Sequence, residues 1–263
     1  MMRALYSAAS GMSAQQLNVD NIANNLANAS TTGFKARRSN FQDLLYQTMS
    51  QAGAAAGASN ALPVGLQIGL GTRAVSNEMV FTQGNPTETD KPLDMAIQGR
   101  GFFQIRRQDG ELAYTRCGSF ELDRDGNIVT VQGDYLEPQI RIPADAQSIT
   151  VAPDGTVSYA LPGQTQVQQA GQIHLANFQN PAGLNSIGAN LYLPTDASGD
   201  AIVGVPGDQG GTGTLLQNHL EQSNVNVVQE FVNLIVSQRA YEANSKVVKA
   251  ADDMSQQVNN LSR

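Results

Sequence analysis

The residues best suited to chemistry are few and scattered. Cys117 is the only cysteine, and the histidines are His174 and His219. A catalytic thiol needs a neighbouring base, and neither histidine lies near Cys117 in sequence. A single cysteine cannot close a disulfide within the chain, so Cys117 reads as a half-buried small hydrophobe. Two histidines and one cysteine do not make a structural zinc site without carboxylates. The run from Asp123 to Asn127 faintly resembles a calcium loop but lacks the bidentate Glu that closes one. It reads better as a hairpin tip. Gly99-Arg100-Gly101 lacks the third glycine of a dinucleotide fingerprint. Nucleophile elbows, zincin helices and Walker loops do not occur. Glu121 and Asp123 would share one face of a strand, but nothing places them in a cleft, and there is no Trp to line a sugar site. The sequence therefore assigns no catalytic residue, no metal and no cofactor, and the chain is expected not to be an enzyme.

The elements that would carry such residues have a different logic. Apolar residues at Leu5, Ala8, Met12, Val19, Ile22, Leu26 and Ala29 step by three and four, with Gln15 in the gap. That is the seam of a helix packing on another helix. Beside it runs a stripe of Asn18, Asn21, Asn25 and Asn28. Asparagine is a poor helix former, so the stripe needs hydrogen-bond partners. Asp20 is the only charge between Leu5 and Phe34.

The C-terminal end repeats the pattern. Val227, Phe231, Leu234 and Tyr241 form one seam, and Val247, Ala251, Met254, Val258 and Leu261 continue it after a phase shift. Asn224 or Asn226 would cap this helix. The two seams predict that the ends pair as a coiled coil.

Between them, residues 95–193 alternate in short runs broken by Asp109-Gly110, Asp125-Gly126, Gly133-Asp134 and Asp154-Gly155. These are hairpin turns. The fold class is α+β: paired terminal helices (1–35 with 222–263), connecting segments (36–94 with 194–221) and a mostly antiparallel β-domain (95–193). The Ala/Gly-rich 52–58 reads as linker, whereas Leu62 to Leu70 is too apolar for one and is expected to dock on something.

Charge supports a life among neighbours. Only 15% of the 263 residues are charged, against about a quarter in ordinary soluble proteins. The net charge of −7 argues against nucleic acid as a partner. No stretch is apolar enough to span a membrane. The N-terminal run after Arg3 is broken by Ser7, Ser10, Gly11 and Ser13, so no cleaved signal peptide is expected.

Two long motifs now carry a resemblance. The run from Asn18 to Lys35, with Asn24-Asn25-Leu26-Ala27-Asn28 and Thr32-Gly33-Phe34-Lys35 at its heart, resembles the N-terminal signature of the flagellar axial proteins. Ser223 to Ile235, followed by Gln238 to Lys246, is similar to the C-terminal signature of the same rod and hook family. Phe41 to Thr48, Leu62 to Gly69, Gln83-Gly84-Asn85, Ala96 to Phe103 and Ser186 to Tyr192 look like its distal-rod branch, with a proximal rod or hook relative as the alternative. At Cys117 the family pattern has a small polar or acidic turn residue instead.

The resemblance implies a subunit of the basal-body distal rod that polymerises with itself into a hollow helical shaft transmitting torque to the hook. It implies paired helices around a channel and an outer β-domain. The implied partners are proximal rod proteins, the hook or hook junction, the surrounding rings and the flagellar type III export apparatus. The implied location is the basal body across the periplasm. Subunit contacts are expected at Leu5, Met12, Asn18, Asn21, Ile22, Asn25, Leu26 and Asn28, at Leu44, Leu45, Tyr46, Leu62, Leu66 and Ile68, and along Val227, Phe231, Leu234, Tyr241, Val247, Met254, Val258 and Leu261. The stripe amides would then bond across subunits.

Overall fold

The charge-poor N-terminal run folds as a helix, α1 (Met2–Ala27), and the C-terminal seam as a longer one, α2 (Val227–Leu261). These come from a computed structural model, which describes residues 2–51, 64–163, 166–208 and 211–261. Asn226 is the cap of α2: its carboxamide oxygen accepts the N–H of Gln229 at 3.2 Å. The other cap candidate, Asn224, is used elsewhere, bonding Ala36, Val80 and Thr82. The N-terminal helix stops short of the expected residue 35. Asn28 accepts the N–H of Thr31, and Gly33 takes a left-handed φ of 70°. A helix cannot continue through that backbone.

The chain forms two units. The first joins Met1–Ala27, Arg37–Glu78 and Asn226–Arg263. It holds both helices and four strands: β1 (Arg37–Asp43), β2 (Tyr46–Ser50), β3 (Leu66–Gly69) and β4 (Thr72–Met79). β1 pairs with β4, and β2 with β3. The 52–58 run and Leu62 lie outside the described residues. What the sequence reading treats as a connecting segment is thus strand-forming on both sides of the 52–63 stretch.

The second unit joins Asn28–Ala36 to Met79–Val225. Its strands are β5 (Pro86–Glu88), β6 (Met95–Gln98), β7 (Phe102–Arg106), β8 (Leu112–Thr115), β9 (Phe120–Leu122) and β10 (Ile128–Thr130). They continue as β11 (Tyr135–Glu137), β12 (Ser148–Val151), β13 (Thr156–Ala160), β14 (Gln168–Gln172) and β15 (Leu175–Asn177). The last are β16 (Asn185–Gly188), β17 (Leu191–Leu193), β18 (Ile202–Gly204), β19 (Thr214–Gln217) and β20 (His219–Glu221). These strands pair antiparallel. The four predicted turns join β7 to β8, β9 to β10, β10 to β11 and β12 to β13, each with its glycine at positive φ.

The unit is larger than residues 95–193 because late strands close it. β19 pairs with β6, and β20 with β5. Phe102 and Phe103 show how the main sheet is covered. Neighbours on a strand face opposite ways, yet both are buried. Phe103 stands edge-on to Phe120 at 5.1 Å within the main core. Phe102 joins Tyr114, Phe178 and Tyr192 in a second core.

The N-terminal signature ends inside this unit, where it is bolted by charge. Lys35 and Glu221 are each 1% exposed, and Arg116 is 3% exposed. Lys35 Nζ donates to Glu221 Oε1 at 2.6 Å and to the carbonyl of Thr82 at 2.7 Å. Glu221 Oε1 also accepts the N–H of Gly84 at 2.8 Å. Glu221 Oε2 lies 3.4 Å from Arg116 Nη1 as an ion contact without a hydrogen bond. Burial pushes Lys35 below the ordinary lysine range; Glu221 opposes that, and Arg116 adds to it. Gly33 lies against the Arg116–Cys117 backbone, where a Cβ would come within 2.7 Å of the Cys117 nitrogen.

Two predictions follow from steric and charge accounting. A Cβ on Gly118 would sit 1.6 Å from the Met95 carbonyl, whereas one on Gly204 would meet only Thr212 at 3.9 Å. Gly118→Ala is therefore expected to cost about 3 kcal/mol or more, and Gly204→Ala less than about 1 kcal/mol. Thermal unfolding of the two variants checks the difference. Removing one partner of a buried ion pair costs about 3–5 kcal/mol. Glu221→Gln leaves two buried cations, while Lys35→Met leaves Glu221 facing Arg116. Denaturant titration should therefore place Glu221→Gln as the more damaging of the two.

Candidate assembly surface

The two helices of the first unit pack against each other. Asn18 Nδ2 donates to Ser237 Oγ at 2.9 Å, and a Cβ on Gly11 would lie 2.8 Å from Asn244 Nδ2. These pairings progress in opposite directions along the two helices, so the pair is antiparallel. On the α1 side the contacts to α2 run through Gly11, Asn18 and Asn25 rather than the predicted seam, of which Ala8 and Ile22 are buried and Leu5, Met12 and Leu26 half-buried.

The α2 side does not follow its seam. Its inward stripe is Glu230, Asn233, Ser237, Ala240, Asn244, Val248, Ala251 and Ser255, with Ser237 and Ala251 fully covered. Small residues let two helix backbones approach closely, and the hydroxyl and amide groups find partners across the contact. Burial pushes the Glu230 carboxyl above its ordinary range, and a bond from Asn25 partly offsets this. The expected pairing of two apolar seams is thus corrected: the helices pair, but α2 turns its apolar residues outward.

Those residues form a ridge. Val227, Val228, Phe231, Val232, Ile235 and Val236 are all exposed, Val228 by 74%. Tyr241, Val247, Met254 and Val258 extend it toward the C-terminal end, also exposed. Leu234 is half-buried. Leu261 ends α2, and its side chain lies outside the described residues. A run of large apolar side chains on one helix is more than the scattered apolar surface of a soluble monomer.

The asparagine stripe is corrected in the other direction. Its amides find partners in their own chain. Asn25 Nδ2 donates to the Arg37 carbonyl at 2.9 Å, and its Oδ1 accepts the Arg37 N–H at 2.9 Å. Asn21 Nδ2 donates to Ser39, and its Oδ1 accepts from Asn77 at 2.7 Å. Asn28 Oδ1 bonds the Thr31 hydroxyl at 3.2 Å. The stripe pins β1 and β4 to α1, because a backbone N–H and C=O brought against a helix must be satisfied there. Asn21 and Asn25 are buried by this contact, and Asn18 and Asn28 are half-buried.

The β2–β3 hairpin is a second uncovered apolar surface. Leu45 is 83% exposed, and Tyr46, Met49, Val64, Leu66 and Ile68 are exposed with it. Leu44 is half-buried, its N–H held by the Gly71 carbonyl at 2.8 Å. Gly69 leaves room for the Tyr46 ring, since a Cβ there would lie 3.3 Å from Tyr46 Cε1. An isolated two-stranded ribbon is marginal in water, and this one carries apolar side chains besides.

Known proteins account for the whole chain. Residues 5–35 match the family model of the flagella basal body rod protein, and 216–261 that of the C-terminal part of the flagellar basal body rod FlgEFG proteins. Residues 96–159 match the model of the flagellar hook protein FlgE/F/G D1 domain. The flagellar basal-body rod protein FlgG of Caulobacter vibrioides is 51% identical over 99% of this chain and 99% of its own length. FlgG of Buchnera aphidicola from Acyrthosiphon pisum is 49% identical over 99% of this chain and all of its own length. FlgG of Borreliella burgdorferi is 47% identical over the full length of both. With such identity from end to end, the chain belongs to the FlgG family of flagellar basal-body rod proteins.

Proposed function

We propose that this chain is a structural subunit of the distal part of the flagellar rod, polymerising into a hollow helical shaft that carries torque to the hook. Family membership supports the rod assignment. The observation that carries polymerisation is the uncovered ridge of α2. Leaving such side chains in water is unfavourable by about 25 cal/mol for each Å² of apolar surface. A chain that keeps its small polar stripe for itself and exposes Phe231, Ile235, Val247 and Met254 is built to finish its core with other copies.

The contacts follow from exposure. Val227, Phe231, Tyr241, Val247, Met254 and Val258 meet neighbouring copies through the ridge. Leu45, Tyr46, Leu66 and Ile68 meet them through the hairpin. Open helical growth needs unlike patches to meet, and two separate apolar surfaces satisfy that. Asn18, Asn21, Asn25 and Asn28 serve the subunit's own packing, which leaves them a smaller share of the interface than their spacing first indicated. Proximal rod proteins and the hook or hook junction would meet the two ends of the shaft, and the basal-body rings its outside. The subunit would reach the periplasm through the flagellar type III apparatus without signal cleavage. No catalytic role is assigned to it.

The test is a double substitution on the ridge. Phe231→Asp with Ile235→Asp is expected to abolish polymers of the purified chain in sedimentation and electron microscopy. Both side chains are exposed, so the stability of the monomer should change by less than about 1 kcal/mol. Polymers that form as readily as those of the unaltered chain would refute the assignment of this face.

A further inference from the structure

The charge cluster of the second unit is unbalanced. Lys35 and Arg116 share one carboxylate, Glu221, and all three are buried. Buried charges are ordinarily matched, because removal from water is costly without a counter-charge. Arg116 Nη2 donates to the Gly99 carbonyl at 2.7 Å, and its guanidinium lies over the Phe102 ring at 5.6 Å. Its Nε is buried and has no hydrogen-bond partner.

Arg116 also forms part of the wall of an open cleft of about 270 Å³, with Phe81, Arg100, Phe102, Phe178 and Pro181. Arg100 follows Gly99 directly, is exposed, and lines the same cleft. Phe81, Phe102 and Phe178 line it as well. Lys35, Arg116 and Arg100 against Glu221 leave the region positive, although the chain as a whole carries −7.

We infer that this cleft is a docking site for a carboxylate side chain presented by a second copy of this chain. The inference rests on the rod reading above, which supplies the second copy. Charge complementarity selects the occupant. The chain is acidic, and the β9–β10 and β12–β13 turns place Asp125 and Asp154 at exposed tips. Arginine is suited to such a contact because its planar fork can take a carboxylate through two parallel hydrogen bonds. Aromatic walls exclude water and strengthen the pair. The arriving carboxylate would supply the missing counter-charge, and Arg116 would then repel the Lys35 ammonium less strongly. Because the cleft and the acidic turns are different surfaces of one subunit, the contact is heterologous and can repeat from copy to copy.

The experiment uses full-length chain with R100E and R100K. Both lie on an exposed side chain, and equal melting temperatures would establish that folding is intact. R100E is expected to raise the concentration needed for polymerisation by roughly tenfold or more, and R100K, which keeps the charge but not the fork, by less. In polymers mixed from ¹⁴N and ¹⁵N chains of R100K, carbodiimide coupling should join the introduced amine to an Asp or Glu of a different copy, read by mass spectrometry. Polymerisation of R100E at the unaltered concentration would overturn the inference. So would coupling that is absent, or found only within single copies. If the unaltered chain forms no polymer at all, this inference and the rod reading fall together, whereas the R100E result alone leaves the rod reading standing.

Discussion

The ion cluster of Lys35, Glu221 and Arg116 is the constraint on which the second unit depends. It ties a segment just after α1 to one just before α2, 186 residues apart. A buried ion pair adds little net stability over an apolar replacement, but a broken one is expensive. Its value therefore lies in specificity. The observed arrangement brings both signature segments to Arg116 through Lys35 and Glu221. Backbone contacts reinforce it: the N–H of Gly33 bonds the Glu221 carbonyl at 2.8 Å, and β19 and β20 complete their sheets beside it. Since those strands come last, the unit cannot close until nearly all of the chain is present.

The first unit makes the opposite choice, holding back its strongest apolar surface. α1 and α2 meet through Ala, Gly, Ser and Asn, while Phe231, Ile235 and their neighbours face outward. Close packing of small residues gives each subunit a defined helix pair but modest burial. In the proposed assembly, the rest of the hydrophobic gain would come from contacts between copies. The low proportion of charged residues has the same cause. A ridge that other copies cover, as proposed, would have no place for the lysines and glutamates that keep a monomer soluble.

Much of this was legible in the sequence, and the failures are instructive. The Asp-Gly and Gly-Asp turns were readable because only a few residues tolerate the backbone they need. The periodicity of α2 marks an apolar face but does not say what covers it, so the expected pairing of its seam with α1 fails. The covered face of α2 is a polar stripe that hydropathy counts as solvent-facing. The asparagine stripe was rightly read as needing partners. Their source was missed because β1 gave no sign that it would lie along α1, where Asn25 takes both backbone groups of Arg37. Lys35 and Glu221 were invisible as a pair, since sequence separation carries no charge signal. The one available hint was that Lys35 is the first cation after Arg3, in a run that otherwise avoids charge.

The central claim is that the apolar ridge of α2 is covered by other copies. Hydrogen exchange, followed by mass spectrometry on the dilute chain and on its polymers, tests it most directly. The account predicts that amides from Val227 to Val258 exchange readily in the dilute chain and become strongly protected in the polymer, while β6 and β7 are equally protected in both. Equal protection of α2 in the two states would contradict it, because the ridge would then gain nothing from assembly.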